Sequence, residues 1–175
     1  MEITLQSIGI DADAFVHPTN SSCTPTGVVG NMLLESQLNM NQEEKQDIKP
    51  LKLDLHQAVV DTCVKVRHKK VIHVNVTGGW FSTVKGNLPT AMNNLLDLAD
   101  QQHFESLVLP DMSCGRGNDE ECAAAVIQAI DHWAGLRPSK VKEIKIVVPR
   151  EKIELYEKHL PRVDYTAGSF FIFFF

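Results

Sequence analysis

Strand and helix signals alternate along most of this chain, and the alternation predicts an α/β sandwich with a mainly parallel central sheet. Three segments carry the prediction. Ser106-Leu107-Val108-Leu109-Pro110 is an apolar run closed by proline, the mark of a buried strand, and Val126, Ile127, Ile130 and Trp133 then recur at helical spacing. Val71-Ile72-His73-Val74-Asn75-Val76 alternates apolar and polar residues as a strand does, and Leu88, Met92, Leu95, Leu96 and Ala99 give 87–102 the single apolar stripe of a helix. Ile144-Lys145-Ile146-Val147-Val148 is the last good strand, followed by a last helix over 151–159.

The remaining elements follow in order. Ile3 to Leu5 alternates like a short strand, 9–13 is a turn, and Ala14-Phe15-Val16 reads as a buried strand ending at Pro18. Residues 17–31 are rich in turn formers and lead into a helix near 32–37. The polar run 37–49 is a solvated helix face or loop, Ala58-Val59-Val60 and Cys63-Val64-Lys65-Val66 suggest strands, and Arg67-His68-Lys69-Lys70 is a solvent-facing turn. His73, alone in its strand, reads as a core residue hydrogen-bonded locally.

Composition narrows the class. A chain of 175 residues suits one domain with a sizeable core. A net charge of -5 argues against a broad basic face for nucleic acid, because counterion release needs clustered Lys and Arg. Cys23, Cys63, Cys114 and Cys122 are far apart with no CxxC pair, so neither zinc nor a disulfide framework is indicated and a reducing compartment fits. No basic region and apolar core follow Met1, so no signal peptide is visible, and the sequons at Asn20 and Asn75 are then accidental.

Three loops are candidates for a ligand. The first runs Asp111-Met112-Ser113-Cys114-Gly115-Arg116-Gly117-Asn118 between the strand at Leu107 and its helix; two glycines let backbone approach a ligand while amides point from the helix mouth, as in phosphate sites. Asn118 and Glu121 have the spacing of a reciprocal helix cap. On composition alone this is an ordinary strand-to-helix turn. The second is Gly27-Val28-Val29-Gly30-Asn31 and the third Gly78-Gly79-Trp80-Phe81. Ligands bind at the carboxyl ends of parallel strands, so the three loops are expected at one sheet edge, around one cleft.

Taken together, Ile10 to Asn20 with its His17-Pro18-Thr19-Asn20, Gly27 to Asn31, Val71 to Asn75, Asn94 to Asp100 and Ser106 to Arg116 resemble the macro domain, in particular that of the macro-type core histone variants. The likeness runs from about residue 3 to 160, leaving 1–162 as the domain and 163–175 as an atypical tail. It implies a three-layer α/β/α sandwich with a mixed, mainly parallel sheet, and a cleft for ADP-ribose, free or at the end of poly(ADP-ribose). Gly27, Val28, Val29 and Gly30 would border the diphosphate and proximal ribose, Asn20 would orient a ribose, and Ser113, Cys114, Gly115, Arg116, Gly117 and Asn118 would wrap the other side. Ser7 and Ile8 would meet the adenine. The resemblance implies a nuclear, chromatin-associated setting, with the cytoplasm the alternative, and partners that are ADP-ribosylated or chromatin proteins, with no nucleic acid, membrane, metal or cofactor beyond the ligand.

Departures from the pattern weaken that cleft. Binding members carry an Asp for the adenine amino group where Ser7 falls here, and neutral hydrogen bonds contribute roughly 1 kcal/mol against ~1.5–3 for charge-assisted ones. Thr26 replaces the first of two adjacent glycines, and an aromatic after Gly117 is missing. Asp119, Glu120 and Glu121 suit a helix start but compete with the diphosphate for it, and Arg116 is the only cation nearby in sequence. Binding should therefore be weak. Hydrolytic members carry an Asp where Val29 stands, and valine is no general base; Cys114 lacks a nearby His in sequence and ranks as a loop residue. A non-catalytic reader comes first, an interaction module with a closed pocket second, and an ADP-ribosyl hydrolase last. The tail Ser169 to Phe175 holds five of the eight Phe; it is too short to span a bilayer and reads as an aberrant chain end, with packing as an extra strand the alternative.

Overall fold

The structure, a computed structural model, describes residues 10–78 and 83–160 and the strand Phe171–Phe174. Among the described residues six strands form one sheet: β1 (Ala14–Asn20), β2 (Ala58–Val60), β3 (Lys70–Thr77), β4 (Ser106–Pro110), β5 (Glu143–Val147) and β6 (Phe171–Phe174), in the order β2-β3-β1-β4-β5-β6. Every neighbouring pair is parallel except β2 with β3. The helices are α1 (Gly27–Leu38), α2 (Gln42–Gln46), α3 (Val84–Gln101), α4 (Asp119–Leu136) and α5 (Ile153–Glu157).

Strand alternation splits the core in two. Ala14, Val16, Ile72, Val74, Leu107, Leu109, Ile144 and Ile146 face one cluster with Leu88, Met92, Leu95 and Leu96 of α3 and Val126, Ile127, Ile130 and Trp133 of α4. Phe15, Val71, Val108 and Val147 face the other, against Val29, Met32 and Leu33 of α1. Successive residues of a strand point to opposite faces, so a sheet with helices on both sides needs apolar residues at nearly every strand position. The fold is therefore the expected three-layer α/β/α sandwich with a mixed, mainly parallel sheet.

Several boundaries differ from the sequence reading. β1 continues through Pro18 to Asn20, because its ladder with β4 covers only Ala14 and Phe15 and the Pro18 carbonyl is taken by the Thr26 hydroxyl at 2.9 Å, not by a strand. Cys63 to Val66 is not a strand; Val66 pairs only with Lys69 across Arg67 and His68, whose φ values of 51° and 64° make the tight turn. The first helix begins at Gly27 rather than near Met32, and α2 is closed by an unforeseen capping box in which Asn41 and Glu44 exchange bonds. The last helix opens with a 3-10 turn, Arg150–Lys152. The backbone of Phe171–Phe174 extends the sheet beside β5, the alternative considered for the tail. The strand expected at 3–5 lies outside the described residues.

The principal polar feature inside the sandwich sits on the α1 face of the sheet. His17 and His73 are register partners in β1 and β3, both buried, with their Nδ1 atoms 2.9 Å apart and their rings edge to face. His73 Nε2 lies 2.7 Å from Asp61 Oδ2, and His17 Nε2 accepts the Thr26 N–H at 3.1 Å. His73 is thus the buried, bonded residue expected from sequence. Burial, reinforced by the neighbouring His73 and only partly offset by Asp61, holds the His17 pKa down at about 3 against an ordinary 6.5. Below pH 6.5 the unfolded chain takes up a proton at this ring that the folded protein refuses, so stability is fully present above 6.5 and declines toward pH 3. Urea midpoints measured between pH 7 and pH 4.5 should fall steadily, and the slope should be visibly shallower in His17→Gln; equal slopes would mean that His17 is charged in the folded protein.

Candidate functional site

Because β1, β3, β4 and β5 are parallel, the segments that follow them leave the sheet from one edge. Three of these segments close around a cavity of about 380 Å³: Thr26, Gly27 and Val28 after β1, Asp111, Cys114 and Gly115 after β4, and Pro149 after β5. The shared cleft inferred from the loops is present for two of them. The third, after β3, runs into residues 79–82, outside the described residues; Gly78 itself is packed on Leu55.

The expected site residues separate into distinct roles. Gly27, Val28, Cys114 and Gly115 line the cavity. Gly27 has φ +65° with open space where a Cβ would stand, so it makes the turn into α1 and leaves its backbone accessible. Gly30, by contrast, is buried, and a Cβ there would lie 2.8 Å from the Pro25 carbonyl carbon and 3.3 Å from His17 Nε2; this glycine serves packing, not ligand approach. Val29 is fully buried in the α1-side core. Asn20 does not line the cavity: its side-chain oxygen accepts from the N–H groups of Ser22 and Thr24, folding the loop behind it. Ser113 is fully buried, outside the lining, and donates its hydroxyl to Asp111 Oδ2. Arg116, Gly117 and Asn118 are exposed beyond the lining, with the Arg116 N–H closing a turn on the Ser113 carbonyl. Ser7 and Ile8 lie outside the described residues.

The two helix starts at this edge differ electrostatically. At α4 the Asn118 side chain accepts from the Glu121 N–H at 3.0 Å, but the reciprocal bond expected from Glu121 is replaced by an ion pair with Lys85 at 3.2 Å. Asp119 and Glu120, also in that first turn, pair with Lys152 and Lys158. This helix end is capped, and its acids are held in ion pairs with lysines. At α1 no side chain caps the first turn and no acid lies in it; the Thr26 side chain is turned away to Pro18. The partial positive charge of the amino end therefore faces the cavity from α1, not from α4, where the sequence reading had placed the weight.

Sequence reasoning also missed a cation. Lys152, in the 3-10 turn after β5, reaches Asp111 at 2.7 Å and Asp119 at 3.2 Å. Burial pushes the Asp111 carboxyl upward, but the Lys152 ammonium and the two bonds from Ser113 outweigh it and hold the group below the usual carboxylate range. The Tyr156 hydroxyl is 3.4 Å away. Asp111 is thus an ionised, well-satisfied carboxylate at the cavity wall. Its neighbour Cys114 is pushed up to about 11 by burial and by the Asp111 charge, so the thiol stays protonated at neutral pH and is no ready nucleophile. Among the described residues no group of three His, Cys, Asp or Glu side chains is placed to hold a metal ion. The arrangement can offer backbone N–H groups to an anion, with one neutralised carboxylate beside them.

Comparison with known proteins agrees with this fold. The macro domain family profile matches residues 16–127. An uncharacterised protein of Aquifex aeolicus is 26% identical over 155 residues, covering 86% of this chain and 91% of that one. Histone macroH2A1.1 of Capsaspora owczarzaki is 24% identical over 163 residues, covering 86% of this chain and 43% of the histone. The Oceanobacillus iheyensis macrodomain with ADP superimposes with a TM-score of 0.64 at 18% identity, covering 85% of this chain and 82% of that one. The profile match takes in most of β1, all of α1, the loop after β4 and the start of α4, and on that match this chain belongs to the macro domain family.

Proposed function

We propose that this protein is a non-catalytic binding module for ADP-ribose, free or at the end of poly(ADP-ribose), with weak affinity and a chromatin-associated, nuclear setting. The observation that carries the reading is the uncapped amino end of α1, with Gly27 and Val28 at the wall of the 380 Å³ cavity. A doubly charged diphosphate is a ligand that such an end accommodates, and the Oceanobacillus iheyensis macrodomain, similar in fold, has been solved with ADP and, as a mutant, with ADPR. The macroH2A1.1 relative supports the chromatin setting, ADP-ribosylated and chromatin proteins being the partners it suggests. No helix among the described residues is long and apolar enough to cross a membrane.

Weakness follows from Asp111. Its carboxylate stands at the cavity wall, and the one cation bound to it, Lys152, is shared with Asp119. A phosphate entering there meets little uncompensated positive charge. The absence of catalysis is inferred from two residues: Val29 is buried in the core, away from the wall, where a base would be needed, and Asp111 at the wall is too well stabilised as a carboxylate to take a proton readily. The second reading, an interaction module that has lost the ligand, draws on the same Asp111 charge; ADP-ribosyl hydrolysis ranks third.

Calorimetry separates these readings. Heat of binding should be measurable at millimolar ADP-ribose and weaken at least tenfold in Gly27→Glu, which sets a carboxylate at the mouth of α1; tenfold corresponds to about 1.4 kcal/mol. Silence at millimolar ligand would leave the interaction module, and release of ADP-ribose from a modified protein would restore the hydrolase. Asp111→Asn removes a negative charge from the wall and should tighten binding by roughly 1 kcal/mol, about fivefold; weaker binding would show that the carboxylate serves the ligand. The described cavity lining lies within 1–162, so removal of 163–175 should leave the ADP-ribose affinity unchanged.

A further inference from the structure

We propose that Asp61, which does not line the ligand cavity, is a positioning residue for it, acting through a one-directional hydrogen-bond relay Asp61–His73–His17–Thr26 that fixes the start of α1. The inference rests on the reading of that helix start as the diphosphate site. Asp61 and His73 border a separate cavity of about 660 Å³ on the α1 side of the sheet, whereas Thr26 lines the 380 Å³ cavity, so the relay connects the two.

The direction of the relay is set by its ends. The backbone N–H of Thr26 can only donate, so His17 Nε2, 3.1 Å away, must be bare. A neutral imidazole has one proton, which places it on His17 Nδ1; that proton faces His73 Nδ1 at 2.9 Å, which must accept it. The proton of His73 is then on Nε2, donated to Asp61 Oδ2 at 2.7 Å. The other carboxylate oxygen, Oδ1, accepts the N–H groups of Cys63 at 2.8 Å and Val64 at 2.9 Å. Each proton points from Thr26 toward Asp61. An imidazolium at His73 would donate from Nδ1, drive the His17 proton onto Nε2 and set it against the Thr26 N–H, so the geometry admits only the neutral pair.

Replacing Asp61 by Asn would reverse the relay without removing an atom. Cys63 and Val64 hold Oδ1 in place, so the new amide group must face His73 Nε2 and donate to it. His73 would then be protonated on Nδ1 and His17 on Nε2, leaving two N–H groups opposed at Thr26. The ring has little room to slide away, since Gly30 is already packed against His17 Nε2 and Pro25. The Thr26–Gly27 turn is the part that must yield, and its displacement re-aims the amides of α1. Neither His17 nor Asp61 is within the cavity lining, so an effect on ligand affinity would come through positioning.

The test starts from the wild-type protein. Long-range 1H–15N spectra of the imidazoles at pH 7 should place the His17 proton on Nδ1 and the His73 proton on Nε2; a His17 proton on Nε2, or an imidazolium at either position, overturns the relay whether or not any variant folds. In Asp61→Asn both tautomers should invert, the Thr26 amide resonance should move, and ADP-ribose affinity should drop about tenfold, with part of the loss recovered in Asp61→Glu. Unchanged tautomers, or affinity within twofold of wild type in a folded Asp61→Asn, would refute the proposal. Should the wild-type protein bind no ADP-ribose, the ligand assignment fails, while the tautomers and the Thr26 resonance still decide the relay.

Discussion

The pairing of β1 between β3 and β4 is the constraint from which the rest of this molecule follows. A strand with parallel partners on both sides must be covered on both faces, and β1 meets that demand with buried residues from Ala14 to Thr19. Its alternation assigns Val16 to the α3 and α4 side and Phe15 to the α1 side, and the neighbouring strands repeat the division. Parallel direction sends the connecting segments out at a common edge. The cavity is thus a product of topology before it is a product of any one loop.

At that edge α1 and α4 differ in how their amino ends are closed. Both helices start beside it, but α4 is closed by Asn118 and surrounded by acids that bind lysines, whereas α1 starts without a side-chain cap. The lysines that hold α4 and α5 together thereby spend their charge on structure: Lys152 joins Asp111 and Asp119, and Lys158 joins Glu120. A cleft whose cations are occupied in this way presents backbone geometry more than net charge.

Much of the fold was legible because its strands are short apolar runs and α3 and α4 have clear stripes. The errors have local causes. Cys63 to Val66 alternates like a strand, yet Val64 and Val66 bury against α1 beside a two-residue turn and need no ladder. The start of α1 was obscured because Gly27 and Gly30 read as loop formers, while one supplies the entry turn and the other a close contact with His17 and Pro25. Of the cavity lining, Gly27, Val28, Cys114 and Gly115 lie in loops singled out by composition and family resemblance. Lys152 and the Asp61–His73–His17 chain could not, because their partners are brought together from distant positions by the sheet register, and no spacing in the sequence records it.

The order of the strands also bears on how the chain is made. β1 emerges from the ribosome before its partners: β3 comes only after α1 and α2, and β4 only after α3 as well. Until Val108 is synthesised, Phe15 has an unfilled edge beside it, and the apolar faces of the nascent central strand lack their full cover. Such a domain gathers itself around a segment that waits longest for its neighbours, so a holding chaperone would have its greatest influence during translation of the interval between the first strand and the fourth.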